Sequence, residues 1–171
     1  LLKTNGTSAN PQWVDSVSSG KVVQMIAEEE RALLSGTTIM PLDNTIPQKT
    51  EGDEYLTATI APTSSSNYLL MEVTLGKLGH TSSNATFAAA IFQDSDADAL
   101  VAAECHPGGN GNQAPGFAMR FRMLAGTTSA TTFKFRLGAN IAGTTSVNGL
   151  NGSGLFGGKS YALMTITEIA A

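Results

Sequence analysis

Residues Leu155–Ile169 read Leu-Phe-Gly-Gly-Lys-Ser-Tyr-Ala-Leu-Met-Thr-Ile-Thr-Glu-Ile. From Tyr161 the run alternates. Tyr161, Leu163, Thr165, Thr167 and Ile169 fall on one side, and Ala162, Met164, Ile166 and Glu168 on the other. A period of two sends successive side chains to opposite faces of a strand. Both faces stay mostly apolar until the last residues, which marks a strand covered on both sides. It reads as an inner strand whose back face meets another sheet or another copy of the chain. A domain built on such a strand completes its core only when the whole chain is present.

Working back from it, short strands recur at regular spacing: Glu54–Ala61, Tyr68–Gly76, Ala85–Gln93, Ala99–Cys105, Gly116–Leu124 and Thr131–Gly138. Even spacing with turn residues between strands predicts an antiparallel sandwich or barrel and excludes βαβ units. The segment Lys21–Leu34, KVVQMIAEEERALL, is open to two readings. Its apolar residues suit a helical face, and EEERALL is rich in helix formers. Alternatively Val22–Ala27 is a strand, Glu28–Glu30 a turn and Arg31 the start of a second strand. Residues 1–20 show no periodicity and read as a connector ahead of a domain spanning 21–171. Leu1 is no natural start, so a longer parent chain is expected.

Composition agrees with an all-β protein. Of 171 residues, 42% are apolar and 14% charged, against about 25% charged in an average domain. A net charge of −4 without a basic cluster argues against nucleic acid. No apolar run approaches the ~18 residues of a membrane-spanning helix. The single Cys105 rules out an intrachain disulfide framework.

Connections alternate in length. Pro62–Asn67, Asp94–Asp98 and Ala125–Ala130 are short, while Pro41–Asp53, Lys77–Asn84, His106–Pro115 and Ala139–Gly154 are long. Successive antiparallel connections lie at opposite ends, so the long ones gather at one end, where binding usually sits. Their amides, hydroxyls and imidazoles suit uncharged hydroxylated ligands. The candidate ligand-binding residues are His80, Asn84, His106, Asn110, Asn112, Gln113 and Asn148.

The series GTTIMPLDNTIPQKTEGDEYLTATIAPTSSSNYLLMEV, FAAAIFQDSDADALVA, MLAGTTSATTFKFRLG and LFGGKSYALMTITEIAA resembles the C-terminal tip domain of phage tail-fibre and prophage-encoded fibre proteins. Related tips occur on bacterial surface fibres. The resemblance covers the chain from about Gly36, and LLKTNGTSANPQWV is similar to the polar connector between shaft and tip. It implies a homotrimeric jelly roll of the tumour-necrosis-factor or C1q kind, borne on a virion or bacterial surface fibre. Such a tip acts as an adhesin for a bacterial surface glycan or protein. The sequence departs from the pattern at AEEERALL, where a polar turn ending in glycine is expected.

Catalytic and metal readings find little in the residues. Asp94, Asp96 and Asp98 alternate as in a calcium loop, but Ala99 and Cys105 stand where the EF-hand needs glycine and glutamate. Cys105 and His106 are adjacent on a strand, point to opposite faces and form no dyad. His80 and His106 lack a third metal ligand. No paired carboxylates of a glycan hydrolase occupy the long loops. No catalytic residue, metal site or cofactor is therefore expected. Arg120 and Arg122 around Phe121, and Lys134 and Arg136 around Phe135, form two basic stripes. They read as a solvent face paired with Glu54 and Glu72, or as an acidic-glycan surface if they meet across strands.

Overall fold

The computed structural model describes residues 20–106 and 116–171 in full, together with the backbone of three short pairing segments. The elements are β1 Leu2–Lys3, β2 Gln12–Trp13, β3 Val22–Glu30, β4 Leu34–Gly36, β5 Asp53–Ile60, β6 Tyr68–Leu75, β7 Leu78–His80 and β8 Phe87–Gln93. There follow β9 Val101–Cys105, β10 Gln113–Ala114, β11 Phe117–Leu124, β12 Thr131–Ala139, β13 Thr145–Val147, β14 Gly149–Leu150, β15 Ser153–Gly154 and β16 Ala162–Ile169. Among the described residues there is no α-helix, only a 3-10 turn at Phe156–Gly158.

Two four-stranded antiparallel sheets carry the fold, in the orders β11-β6-β16-β3 and β5-β12-β8-β9. Apart from β8–β9, every connection between these eight strands passes from one sheet to the other. The final strand is an inner strand, paired with β6 on one side and β3 on the other. Its alternation is used as the sequence predicts: Ala162, Met164, Ile166 and Glu168 are buried. The first three meet Leu69, Met71 and Val73 of β6 and Phe133, Phe135 and Leu137 of β12 in one apolar core. Burying each such side chain contributes about 1.5–3 kcal/mol, before conformational entropy is set against it.

Three details depart from the sequence reading. The first strand runs through Glu30, so the turn falls at residues 31–33 rather than at Glu28–Glu30. Glu30 stabilises it by accepting the backbone N–H groups of Arg31 and Ala32 at 2.8 and 2.7 Å. Secondly, only the ion-paired reading of the basic stripes holds; the acidic-glycan alternative falls because Arg120/Arg122 and Lys134/Arg136 lie on different sheets, β11 and β12, and do not meet across strands. Arg120 pairs with Glu72 at 2.7 Å, while Lys134 and Arg136 approach Glu54 at 3.5 and 3.7 Å.

The third departure is the connection from β4 to β5, which does not stay at the long-loop end. It straps the outer face of the second sheet lengthwise. Lys49 N–H donates to Ala97 O at 2.8 Å and Ala99 N–H to Pro47 O at 3.0 Å, beside the short β8–β9 turn. Met40 packs under the strap on Ala88, Ala90 and Phe92. This explains why Phe87–Phe92 is apolar without alternation: both faces of β8 are covered. Arg136 holds the end of the strap, donating to Glu51 O at 3.0 Å and Gly52 O at 2.6 Å.

Candidate functional site

The strand registers gather the remaining long loops at one end. Leu75 closes β6 there and pairs with Ala162 at the start of β16 and Phe117 at the start of β11. Ala139 closes β12 beside Phe87, which pairs in turn with Cys105. The loops do more than converge. Each contributes a short strand to a third sheet, in the order β10-β7-β13-β4. Each loop is thus held at that short strand by main-chain hydrogen bonds, and this end of the domain is a built platform.

The opposite end receives the chain. Gly20 N–H donates to Ala170 O and Ala170 N–H to Lys21 O, both at 2.9 Å. Val22 pairs with Ile169, which faces Tyr68 on the other side. Gly20, the first residue of the described domain, therefore lies at the end away from the loops.

Of the predicted ligand residues, Asn148 and His80 are buried. Asn148 adopts φ +63°, a left-handed conformation that asparagine tolerates well. Its amide donates to Glu30 O at 2.8 Å and Ala32 O at 3.2 Å, and its Oδ1 accepts from Ser160 Oγ at 3.4 Å. It ties the 31–33 turn to the last long loop. His80 Nδ1 lies 3.0 Å from Ser82 N and 3.2 Å from Ser82 O, so the ring is fixed against the main chain of its own loop. Nε2 is enclosed and has no hydrogen-bond partner among the described residues. Gly143 lies against this ring, and a Cβ there would sit 2.8 Å from Nε2.

Asn84 and His106 are exposed. His106 shares a 2.8 Å hydrogen bond between Nδ1 and Thr86 Oγ1. Thr86 N–H donates to Asn140 Oδ1 at 2.9 Å, and Asn140 N–H returns to Thr86 O at 3.0 Å. His106, Thr86 and Asn140 thus form one polar chain across two loops. Asn110 and Asn112 lie outside the described residues, and Gln113 is described only as backbone paired with Gly79. Thr86 and Asn140 were absent from the predicted set. The signal for Asn140 was available, since it sits in the same long loop as Asn148.

Cys105 is a half-buried free thiol, and burial raises its pKa. It is separate from the His106 contact. Asp94 accepts Thr132 N–H at 2.8 Å and Asp98 accepts Gln48 Nε2 at 2.9 Å, as expected of a hairpin turn. Among the described residues no three His, Cys, Asp or Glu side chains group as metal ligands. No described helix is long and apolar enough to cross a membrane.

One buried carboxylate stands at the chain-entry end. Glu168 is fully enclosed. Its Oε1 accepts Thr63 N–H and Oγ1–H at 2.8 Å and Asn67 Nδ2 at 2.6 Å, and its Oε2 accepts Gln24 Nε2 at 2.6 Å. Burial opposes ionisation, but the donors of Asn67, Gln24 and Thr63 outweigh it and bring the pKa down to about 2.

No family model matches the sequence, and no curated protein matches it. Among solved structures, the chain is similar to the C-terminal domain of EclA, described as a sugar-binding protein. The identity is 12% over 94% of this chain and 89% of that one, at a TM-score of 0.37. A Bacillus endospore appendage protein, from a family of disulfide-linked pili, aligns at 10% identity over 94% of this chain and all of that one, at a TM-score of 0.31. The enzymatically active domain of bacteriophage CBA120 tailspike protein 4 aligns at 12% identity over 73% of this chain and 18% of that one, at a TM-score of 0.30. At these scores the likenesses identify no family for the chain.

Proposed function

We propose that residues 21–171 form the receptor-binding tip of a fibre, an adhesin that recognises a bacterial surface glycan or protein as a homotrimer. The fibre is extracellular, on a phage tail or a bacterial surface, and the tip binds rather than catalyses. The observation that carries this reading is polarity. The chain enters at one end and the loop platform lies at the other, so a shaft would leave the platform leading.

The strand orders, with six of the seven connections crossing between sheets, support a jelly roll of the tumour-necrosis-factor or C1q kind. The outer faces of the two sheets support self-assembly. The strap covers one. The other leaves Met25 61%, Val22 57% and Leu124 53% exposed, with Leu70, Leu163 and Ile169 half-buried among them. The Leu124–Tyr68–Ile169–Val22 row with Leu70 and Met25 beside it is an apolar patch, bordered by Arg122 and the Arg120–Glu72 pair, of the kind that marks an interaction surface.

Light scattering at micromolar concentration tests the assembly: a trimer mass is expected and a monomer mass refutes it. Cell-surface binding, a glycan array and a sugar-release assay test the role; binding without sugar release is expected. A second reading has its own support. Burial of His80 and Asn148 in the platform fits a structural trimerisation module without a ligand, and such a trimer would bind neither cells nor glycans.

A further inference from the structure

Phe156 is the most exposed large apolar side chain among the described residues, at 76%. Its backbone sits at φ +52°, followed by Gly157 at +58° and Gly158 at +81°. For the glycines this left-handed turn is easy. For a bulky L-residue it is a strained outlier, and burial does not compensate for it here. The turn is nevertheless tied down. Leu155 N–H donates to Asn148 O at 3.2 Å, Gly158 N–H to Leu155 O at 3.1 Å and Lys159 N–H to Phe156 O at 3.1 Å. Asn148 is itself anchored to the 31–33 turn and Ser160. The segment leads directly into Ala162, so the ring stands at the loop platform, away from the chain-entry end.

We infer that Phe156 is the stacking surface on which this platform receives a sugar ring, a reading that rests on the tip function proposed above. Its surroundings select the ligand class. Nearby exposed residues are Asn151, Ser153 and Lys159, with glycine backbone between them. A docked protein would need a contiguous apolar patch, which these residues do not supply. A pyranose presents a face of C–H groups that covers an aromatic ring, while its hydroxyls reach amide, hydroxyl and backbone groups at the edge. Tyr161 and Arg31 flank the same loop, with the guanidinium carbon 5.9 Å from the Tyr161 ring centre. Asn148, predicted from sequence to touch ligand, acts here as a positioning residue.

The test compares wild type with Phe156→Ala, Phe156→Trp and Phe156→Gly on a printed array of bacterial surface polysaccharides and on host cells. Phe156→Ala should bind about tenfold more weakly, and Phe156→Trp should retain binding. Phe156→Gly should lose binding while its urea midpoint rises, because glycine relieves the left-handed strain; a lowered midpoint would show that the ring is there for stability and overturn the inference. A Phe156→Ala trimer that binds cells and polysaccharides as tightly as wild type also overturns it and leaves the tip reading standing. Loss of trimer mass in Phe156→Ala would assign the ring to a subunit contact and overturn it. Wild type binding cells but no polysaccharide overturns the sugar assignment alone, and wild type binding neither removes the tip reading as well.

Discussion

Replacing Glu168 by glutamine should cost stability at neutral pH and little in acid. The folded pKa of about 2, against an ordinary 4.5, corresponds to about 3 kcal/mol favouring the ionised native state. Thr63 and Ser64, which donate to the carboxylate, are themselves exposed and half-buried, so solvent screening reduces that figure to about 2 kcal/mol. Geometry gives a similar size. Glutamine keeps an oxygen for Thr63 and Asn67, but its NH2 faces the Gln24 amide, and one charge-assisted hydrogen bond is lost, at about 1.5–3 kcal/mol. The sign follows from the depressed pKa. The contribution is full above about pH 4.5 and fades as pH falls toward 2, with less than half of it left near pH 3. The assay is urea unfolding of wild type and Glu168→Gln at one protein concentration, in steps from pH 7 downward. The two stabilities should differ by about 2 kcal/mol at pH 7 and converge in acid. A difference that stays constant across the series would refute the claim that Glu168 is ionised in the folded chain.

Asn148→Ala should destabilise the loop platform by about 2 kcal/mol, because it strands the Glu30 and Ala32 carbonyls and leaves alanine at a positive φ; hydrogen exchange should show the loss in residues 145–160 before the core strands. Met25→Glu and Leu124→Glu, on the uncovered sheet face, should lower the light-scattering mass without changing the circular dichroism. Cys105 should react slowly with a thiol reagent and form no inter-chain disulfide in freshly folded protein on a non-reducing gel.

Most long strands were legible from a period of two between turn residues; β8 was legible as a short apolar run between turns, while β3 stayed open because its glutamates also suit a helix. The observed Asp53–Ile60, Tyr68–Leu75 and Phe117–Leu124 differ from the sequence expectation by a residue at either end. Elements of two or three residues such as β7, β10 and β13 carry no period, so the platform sheet could not be read in advance. The strap escaped for another reason. Its path is set by long-range partners, Lys49 with Ala97 and Arg136 with Gly52, and prolines merely permit it. At the site, residue type pointed correctly to the loops but not to side-chain direction. Asn148 turns inward because a left-handed backbone aims its amide at carbonyls more than 110 residues earlier. Phe156 was passed over because Leu-Phe beside the final alternation looks like the lead-in to a strand. Gly157-Gly158 is the local signal that the chain turns there instead.

The two outer faces show why one chain is both a scaffold and a component. Covering β8 and β9 with the strap uses a dozen residues of connection and gives that sheet a second apolar layer. Among the described residues no segment covers the other sheet, where the β3–β16–β6 surface stays apolar near its Tyr68–Ile169–Val22 row. Glu168 lies under this row on the core side and links the first long strand, the Thr63–Asn67 turn and the last strand through hydrogen bonds from Gln24, Thr63 and Asn67. The most closely fastened corner of the domain therefore lies where the chain enters and beneath the face proposed to assemble. A load passed from a shaft would be taken by the inner strand β16 and its two neighbours. The platform at the far end, held by its own sheet, could keep its geometry while the base is pulled.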